Sequence, residues 1–285
     1  MVADRRLSFG NGRTIEDAQK ITTVETTDGV ALIGYAGLGL TQGRTQPSHW
    51  LRNVLRGRNA SMNASMEFIV NAMRKEMPRH LRSMPTTRSH VVIAPAFVDG
   101  RPRIYYIDLG VTESGQIEGS RYALLTSNYP GARPYRMVTT GSGANGIPKT
   151  ENFRHLFRLA KAFDEGRVQA RSVADAMAAI CYRAHLRDKY TGPNAIVVWR
   201  SKIGAQLKDG GGLQYYSGML RDNECPQLPD VARGMDMNAI VQVLAADAIP
   251  KLEAMLRGSP IPPDDPDLLR QAFSQLPIGP DDRLR

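Results

Sequence analysis

Two Asp-Gly dipeptides, each placed between two β-prone runs, constrain the fold of this chain more than any other feature. Asp28-Gly29 lies between residues 20–25 and 30–35, and Asp99-Gly100 lies between the two runs 90–93 and 104–107. Asp-Gly in this setting is the strongest short-range signal for a β-hairpin. Two such hairpins predict antiparallel sheets and argue against a parallel sheet built from alternating strands and helices.

The segments between and after the hairpins show the apolar periodicity of helices. Apolar residues at helical spacing predict an amphipathic helix over residues 64–77, which Pro78 should end, with a shorter helix near Trp50 before it. Further helices are predicted over 150–165 and from Ser172 to about Asp188. Strands are predicted over 135–140 and 195–199, with the glycine run 210–212 as a loop.

The order of these elements is strands, two helices, strands, two helices and a strand. That order suits an α+β fold with four layers, αββα, in which two antiparallel sheets lie between helix layers. Beyond Cys225 a helix over about 238–256 is followed by prolines and aspartates. We therefore expect a domain over residues 1–225 and a C-terminal helical and Pro-rich extension over residues 226–285.

Composition excludes several classes of function. No apolar run approaches the roughly 20 residues of a membrane span, and Met1 to Gly10 do not read as a signal peptide, so we expect a cytoplasmic protein. Cys181, Cys225 and the five histidines have no zinc or disulfide spacing, so no metal and no cofactor are expected. The net charge of +9 comes from short, dispersed arginine clusters, which favour solvated helix faces over nucleic-acid binding.

Four motifs follow one another along the chain. They are Asp4-Arg5-Arg6 with Lys20 after it, Gly34-Tyr35-Ala36-Gly37-Leu38, Gly141-Ser142-Gly143 before a helix, and Arg187-Asp188-x-x-Thr191-Gly192. Their order and spacing resemble the proteasome β-subunit family of N-terminal-nucleophile hydrolases and related bacterial peptidase subunits. The resemblance covers about residues 1–205.

The resemblance implies a role for each motif. Lys20, held by Asp4, would lower the proton affinity of a nucleophilic hydroxyl, because a fixed cation stabilises the developing alkoxide. Gly37 would offer its backbone N–H to the oxyanion, with Gly34 as the rival position. Ser142, Asp188 and Thr191 would form the polar cluster that orients the α-amine of the nucleophile and a water molecule.

The resemblance also implies a nucleophile that the sequence does not contain. That nucleophile is an N-terminal threonine, about a strand and a half before Asp4, whose own amine acts as the base. Either the true start lies upstream or the protein is an inactive relative. We expect the upstream start, because without its first strand a central sheet would have an unpaired edge.

Three functions stay open at this point. The first is a threonine-type peptidase or amidohydrolase that acts on a peptide or small amide and self-associates into a ring or stack. The second is an inactive scaffold subunit of the same kind. The third is a dinucleotide-binding oxidoreductase, since Gly141-x-Gly143-x-x-Gly146 matches the dinucleotide fingerprint, although the surrounding strands are predicted to form hairpins.

Overall fold

A computed structural model gives the fold. It describes residues 1–8, 13–40, 45–82, 89–112, 114, 116–124, 136–145, 147, 149–200, 211–226, 228–263, 266–276 and 279–280. In this part of the chain no helix is both long and apolar enough to cross a bilayer.

Thirteen strands and six α-helices form the described part of the chain. The strands are β1 (Val2–Asp4), β2 (Leu7–Ser8), β3 (Thr14–Ile15), β4 (Ile21–Glu25), β5 (Gly29–Ala36), β6 (Ser89–Val98), β7 (Arg101–Val111), β8 (Ile117–Leu124), β9 (Ala195–Arg200), β10 (Gly211–Ser217), β11 (Leu220–Pro226), β12 (Val231–Ala232) and β13 (Met235–Asp236). The helices are α1 (Pro47–Leu55), α2 (Met62–Arg82), α3 (Lys149–Asp164), α4 (Ala170–His185), α5 (Met237–Leu256) and α6 (Pro266–Ser274), with a 3₁₀ turn at Ser142–Asn145.

Both predicted hairpins are confirmed, and they build the larger sheet. This seven-stranded sheet has the order β13-β12-β4-β5-β6-β7-β8, and β4–β5 and β6–β7 are antiparallel. Asp99 and Gly100 have φ of 48° and 69°, the left-handed values that a type I′ hairpin turn requires. Only β12 runs parallel to its neighbour β4 within this sheet.

The smaller sheet has four strands in the order β1-β9-β10-β11, all antiparallel. It contacts the larger sheet through apolar side chains, which are Ile21, Leu32, Ile196, Val198 and Leu213. Helices α1 and α2 pack on the larger sheet, and α4 packs on β1 and β9. The antiparallel sheets with packed helices confirm the coarse fold prediction, whereas the full four-layer order, and the division of the chain at residue 225, stay predictions.

Helix α2 does not end at Pro78, where the sequence predicted its end. It runs through Pro78 to Arg82, because the last turn buries His80 and Leu81 against the core. That burial offsets the hydrogen bond that a proline removes from a helix interior. Helix α4 also begins earlier than predicted, at Ala170 with Gln169 as N-cap, and it ends at His185.

Two further predictions were wrong. Residues 136–140 form no strand, because this segment lies over α3 and α4, where Met137 contacts the cluster of Leu156 and Ile180. Gly211 and Gly212 are not loop residues but open β10, where Gly212 lies against the ring of Trp199, which leaves no room for a Cβ. Gly210 lies outside the described residues.

Candidate functional site

Asp4 and Lys20 form a nearly symmetrical ion pair. The Lys20 Nζ lies 3.0 Å from both carboxylate oxygens of Asp4, and the two side chains are 14% and 20% exposed. Asp4 Oδ1 also accepts hydrogen bonds from the backbone N–H groups of Arg6 and Gly192, at 2.9 and 3.1 Å. The carboxylate is therefore fixed from three sides and holds the lysine in one place.

Ser142, Asp188 and Thr191 also meet in space. The hydroxyls of Ser142 and Thr191 donate to the same Asp188 oxygen, Oδ2, at 2.6 and 2.7 Å, while the N–H of Tyr190 donates to Oδ1 at 3.1 Å. Burial alone would raise the pKa of Asp188, but these hydrogen bonds and the positive charge of Arg6 lower it below its ordinary value. Asp188 is thus an anion that orients two hydroxyl groups.

The turn after α4 joins the two clusters. Thr191 bonds to Asp188, and the next residue, Gly192, bonds to Asp4. A Cβ on Gly192 would lie 2.6 Å from the Cβ of Arg6, so only glycine lets this turn approach β1 so closely. The structure therefore places all five predicted polar side chains in one connected network.

Sequence reasoning missed the side chains that clamp this turn. Arg6 donates from Nε to Glu16 at 2.6 Å and from Nη1 to the carbonyls of Lys189 and Thr191 at 2.8 and 3.3 Å. A ring nitrogen of His185 lies 2.8 Å from the carbonyl of Thr191. The Arg6–Glu16 pair continues the antiparallel pairing of β2 with β3, in which Leu7 lies opposite Ile15. The bonds from Arg6 to residues 189 and 191 have no spacing rule behind them, because they form only when α4 packs against β1.

Gly37 and Gly34 differ in whether their backbone N–H is available to donate a hydrogen bond to an oxyanion. Gly34 lies inside β5 and pairs with Ile21 on one side and Ile93 on the other, so its backbone groups belong to the sheet. Gly37 follows the strand with φ of +110°, and a Cβ there would collide with the carbonyl oxygen of Ser89. The geometry favours Gly37 over Gly34, and its role as a donor stays a prediction.

Burial and the charge of Asp4 shift the pKa values of two buried groups, the Cys181 thiol and the Tyr35 phenol. Burial, followed by the negative charge of Asp4, raises the pKa of the Cys181 thiol to about 12, with Lys20 acting in the opposite direction. Burial and Asp4 likewise raise the pKa of the Tyr35 phenol, and the neighbouring Ser48 hydroxyl opposes them. Cys181 is a protonated thiol in the core between α4 and the smaller sheet, which fits packing and not nucleophilic attack.

A cavity of about 450 Å³ opens beside the pair, between the start of β4 and the start of α1. Residues that precede Lys20 in the sequence and residues that follow it both line this cavity. The lining residues are Asp17, Gln19, Thr22, Thr45, Gln46, Ser48, His49, Arg52 and Asp230. This volume falls in the range of ligand-binding pockets in proteins.

The dinucleotide alternative lacks its structural setting. That fingerprint needs a strand before its first glycine and a helix directly after its last, in a parallel crossover unit. Residues 136–140 form no strand, Gly141 is followed by a 3₁₀ turn, and Ser142 bonds to Asp188 instead of opening a helix. Gly146 lies outside the described residues.

No protein-family model matches this sequence, and no curated protein matches it. Anbu proteins are among the solved structures that it resembles. Anbu from Hyphomicrobium sp. strain MC1 has 13% identity and a TM-score of 0.37, over 96% of this chain and 92% of that one. Anbu from Yersinia bercovieri, described as an ancestral beta-subunit, has 10% identity and a TM-score of 0.41, over 79% of this chain and 80% of that one.

A third similar structure is the helical assembly of the Anbu complex from Pseudomonas aeruginosa, with 14% identity and a TM-score of 0.39 over 92% of this chain and 93% of that one. These findings correct the assignment to the proteasome β-subunit family. No family model supports it, and these matches are to Anbu proteins instead. Identities and TM-scores this low assign no function, so the function has to be argued from the site.

Proposed function

We propose that this chain forms the catalytic shell of an amide-bond hydrolase, in which Lys20 activates an N-terminal hydroxyl or thiol nucleophile. The observation that carries the proposal is the network described above. A lysine clamped by both oxygens of Asp4 is tied through Gly192 to the Ser142–Asp188–Thr191 cluster. A surface ion pair worth about 0–1 kcal/mol would need none of these backbone bonds.

Each residue of the site has a separate role in the proposed hydrolysis. The ammonium group of Lys20 stabilises the alkoxide that forms as the nucleophile loses its proton to the α-amine. The nucleophile attacks the carbonyl carbon of a peptide or small amide, the C–N bond breaks, and the proton passes to the leaving amine. The N–H of Gly37 stabilises the oxyanion, and the Asp188 cluster orients the amine and the water that releases the acyl group.

The nucleophile itself is the part that this geometry calls for and does not supply. Within the described ranges, Lys20 Nζ bonds only to Asp4 and to no hydroxyl or thiol. The proposal therefore predicts a Thr, Ser or Cys at the mature N-terminus, about a strand and a half before Asp4.

Intact mass and N-terminal sequencing of the protein from its native host test this directly. A chain that begins with such a residue should hydrolyse a fluorogenic peptide amide, and Lys20→Ala should lower kcat by at least about 100-fold. Lys161→Ala, on an exposed face of α3, is the matched control and should leave kcat unchanged. A native chain that begins at Met1 or Val2, or a fully active Lys20→Ala variant, overturns the proposal.

A second candidate, a scaffold that works by self-association, is favoured by helix α5. This 20-residue helix has no buried residue, although it is rich in apolar side chains. Its large exposed apolar side chains are Val241, Leu244, Ile249, Leu252, Met255 and Leu256. A group of large exposed apolar side chains normally marks a surface that packs against a partner.

Sedimentation velocity distinguishes this candidate from a monomer. We expect the protein to sediment as an oligomer and the double variant Leu244→Glu, Leu252→Glu to sediment as a smaller species. Gln242→Glu adds one negative charge at an exposed polar position of α5 and should not change the size. A wild-type monomer at micromolar concentration would exclude the scaffold role for α5.

A further inference from the structure

The cavity between β4 and α1 adjoins the proposed catalytic pair. Gln19 and Thr22 line it, and Lys20 lies between them in the chain, so the cavity wall includes residues one and two positions from Lys20. Ser48, also in the wall, neighbours the Tyr35 phenol, which feels the charge of Asp4. A substrate whose amide bond lies beside Lys20 can therefore place a side chain in this cavity.

Arg52 is the cation in the wall of this cavity. Its Nε is buried and forms no hydrogen bond within the described part of the chain. The arginine one turn further along α1 is different, since Arg56 donates to the carbonyl of Gly279 at 2.9 Å and to Asn53 at 3.4 Å. A buried donor of a charged group that makes no hydrogen bond is energetically costly, so this guanidinium N–H calls for an acceptor.

The two carboxylates in the cavity wall, Asp230 and Asp17, differ in how strongly they can compete with an acidic ligand for Arg52. Asp230 Oδ2 accepts hydrogen bonds from the N–H and the hydroxyl of Thr23, at 2.7 and 2.9 Å, and Oδ1 accepts one from Asn238 at 2.7 Å. Both oxygens are thus committed to structure. Asp17 is exposed at the rim, where water screens its charge.

The remaining lining groups suit a polar ligand. Gln46 accepts from the N–H of Gln19 at 3.1 Å, which fixes the amide nitrogen of Gln46 toward other partners. Thr22 and Ser48 add hydroxyl groups. Burial, followed by the charge of Arg52, lowers the pKa of His49, so that imidazole is neutral at pH 7 and adds no second cation.

We propose that this cavity binds an acidic side chain of the substrate, Asp or Glu, and that Arg52 pairs with its carboxylate. This selectivity rests on the proposed hydrolase function for its biological meaning. The planar guanidinium matches a carboxylate through parallel N–H···O bonds, which a lysine cannot reproduce. The volume of about 450 Å³ exceeds that of one acidic side chain and leaves space for bridging water.

Equilibrium binding tests the pocket without any chemistry. The probes are N-acetyl-glutamate N-methylamide and its glutamine counterpart, which has the same shape and no charge, titrated by NMR at pH 7. We expect the glutamate probe to bind at least tenfold more tightly. Arg52→Gln should remove that difference, Arg52→Lys should restore part of it, and Arg56→Gln should leave it unchanged.

Equal affinity for the two probes, no binding of either, or a preference that survives in Arg52→Gln would overturn the proposal. Thermal unfolding of each variant tests whether a loss of probe binding is a loss of fold. If Arg52→Gln is unstable, Arg52→Lys serves as the second variant, because it keeps the positive charge. If the glutamate probe binds through Arg52 while Lys20→Ala retains full hydrolysis, the proposed function fails and the pocket stands. If Lys20→Ala abolishes hydrolysis but the probes bind alike, only the pocket assignment fails.

Discussion

Asp4 shows how a single carboxylate can hold a site together. It receives two contacts from Lys20 and one each from the N–H groups of Arg6 and Gly192. The resemblance of the motifs to the N-terminal-nucleophile hydrolases implied the pairing of Asp4 with Lys20. The bond from Gly192 could not be predicted, because it joins residues that are 188 positions apart.

We expect Asp4→Asn to lower the free energy of unfolding by ~1–3 kcal/mol. The amide oxygen can keep the two backbone bonds, but its NH₂ group would face the ammonium of Lys20, a donor against a donor. Urea denaturation measures the change. Asp267→Asn, at an exposed ion pair on α6, is the control and should cost less than about 0.5 kcal/mol. A loss for Asp4→Asn as small as the control would identify the pair as an ordinary surface contact.

His90 gives the protein a pH-dependent stability. Its ring is fully buried, and Nδ1 accepts a hydrogen bond from the N–H of Leu38 at 3.1 Å, which requires a neutral imidazole. Burial, followed by the charge of His80, lowers the pKa of His90 to about 4 from its ordinary value of 6.5. The unfolded chain therefore binds the proton first as the pH falls, and the folded chain binds it only near pH 4.

Stability linked to His90 is thus present above about pH 6.5 and is lost as the pH falls toward 4, by up to ~3 kcal/mol. Urea midpoints measured between pH 7 and pH 4.5 should fall steeply for the wild type and less steeply for His90→Gln. His155→Gln, at an exposed histidine of α3, should keep the wild-type slope. Parallel slopes for all three proteins would show that His90 titrates normally.

At the scale of elements, the bend that ends β5 depends on a glycine. Gly37 has φ of +110°, and the space for its Cβ is filled by the carbonyl of Ser89 on β6. We expect Gly37→Ala to lower the free energy of unfolding by ~2–4 kcal/mol, as backbone strain and overpacking add together. Thermal or urea unfolding measures this loss.

Gly166→Ala is the matched control for that substitution. Gly166 ends α3 with φ of +70°, but nothing lies within 4 Å of its Cβ position. Only the backbone strain of roughly 1–2 kcal/mol applies there. If both variants lose the same free energy, the contact with Ser89 relaxes easily and Gly37 is required for its conformation alone.

At the scale of the whole molecule, Asp230 joins the C-terminal segment to the larger sheet. Its carboxylate bonds to Thr23, and its N–H bonds to the carbonyl of Thr23 at 2.8 Å, next to the parallel pairing of β12 with β4. Thr23 and Asp230 are both buried. The start of the predicted extension at residue 226 is therefore followed at once by a segment that completes a sheet.

We expect Asp230→Ala to lower the free energy of unfolding by ~2–4 kcal/mol, because it leaves the buried N–H of Thr23 without this acceptor and the Thr23 hydroxyl with only the carbonyl of Leu228. Hydrogen exchange should then speed up over residues 228–256 before it does so in β5 and β6. Asp236→Ala removes only the N-cap bond to Ala239, at 3.2 Å, and should cost about 1 kcal/mol. Uniform exchange across the molecule would mean that the extension unfolds with the rest of the chain.

The sequence by itself determined several local elements, and its four motifs named the polar residues that form the network around Asp4 and Asp188. Asp28-Gly29 and Asp99-Gly100 predicted both hairpins, and apolar spacing predicted α2, because turn chemistry and periodicity act between near neighbours. Tertiary structure decided the rest. Packing extends α2 past Pro78, places residues 136–140 against α3 and α4, and brings Gly192 and Arg6 to the polar cluster.

It also left the Nε of Arg52 without a hydrogen bond to any described residue, at a cavity between two distant segments. These features depend on burial and on hydrogen bonds between residues far apart in the chain. Their free energies appear only when the elements pack, so no pattern in a short window of sequence can contain them.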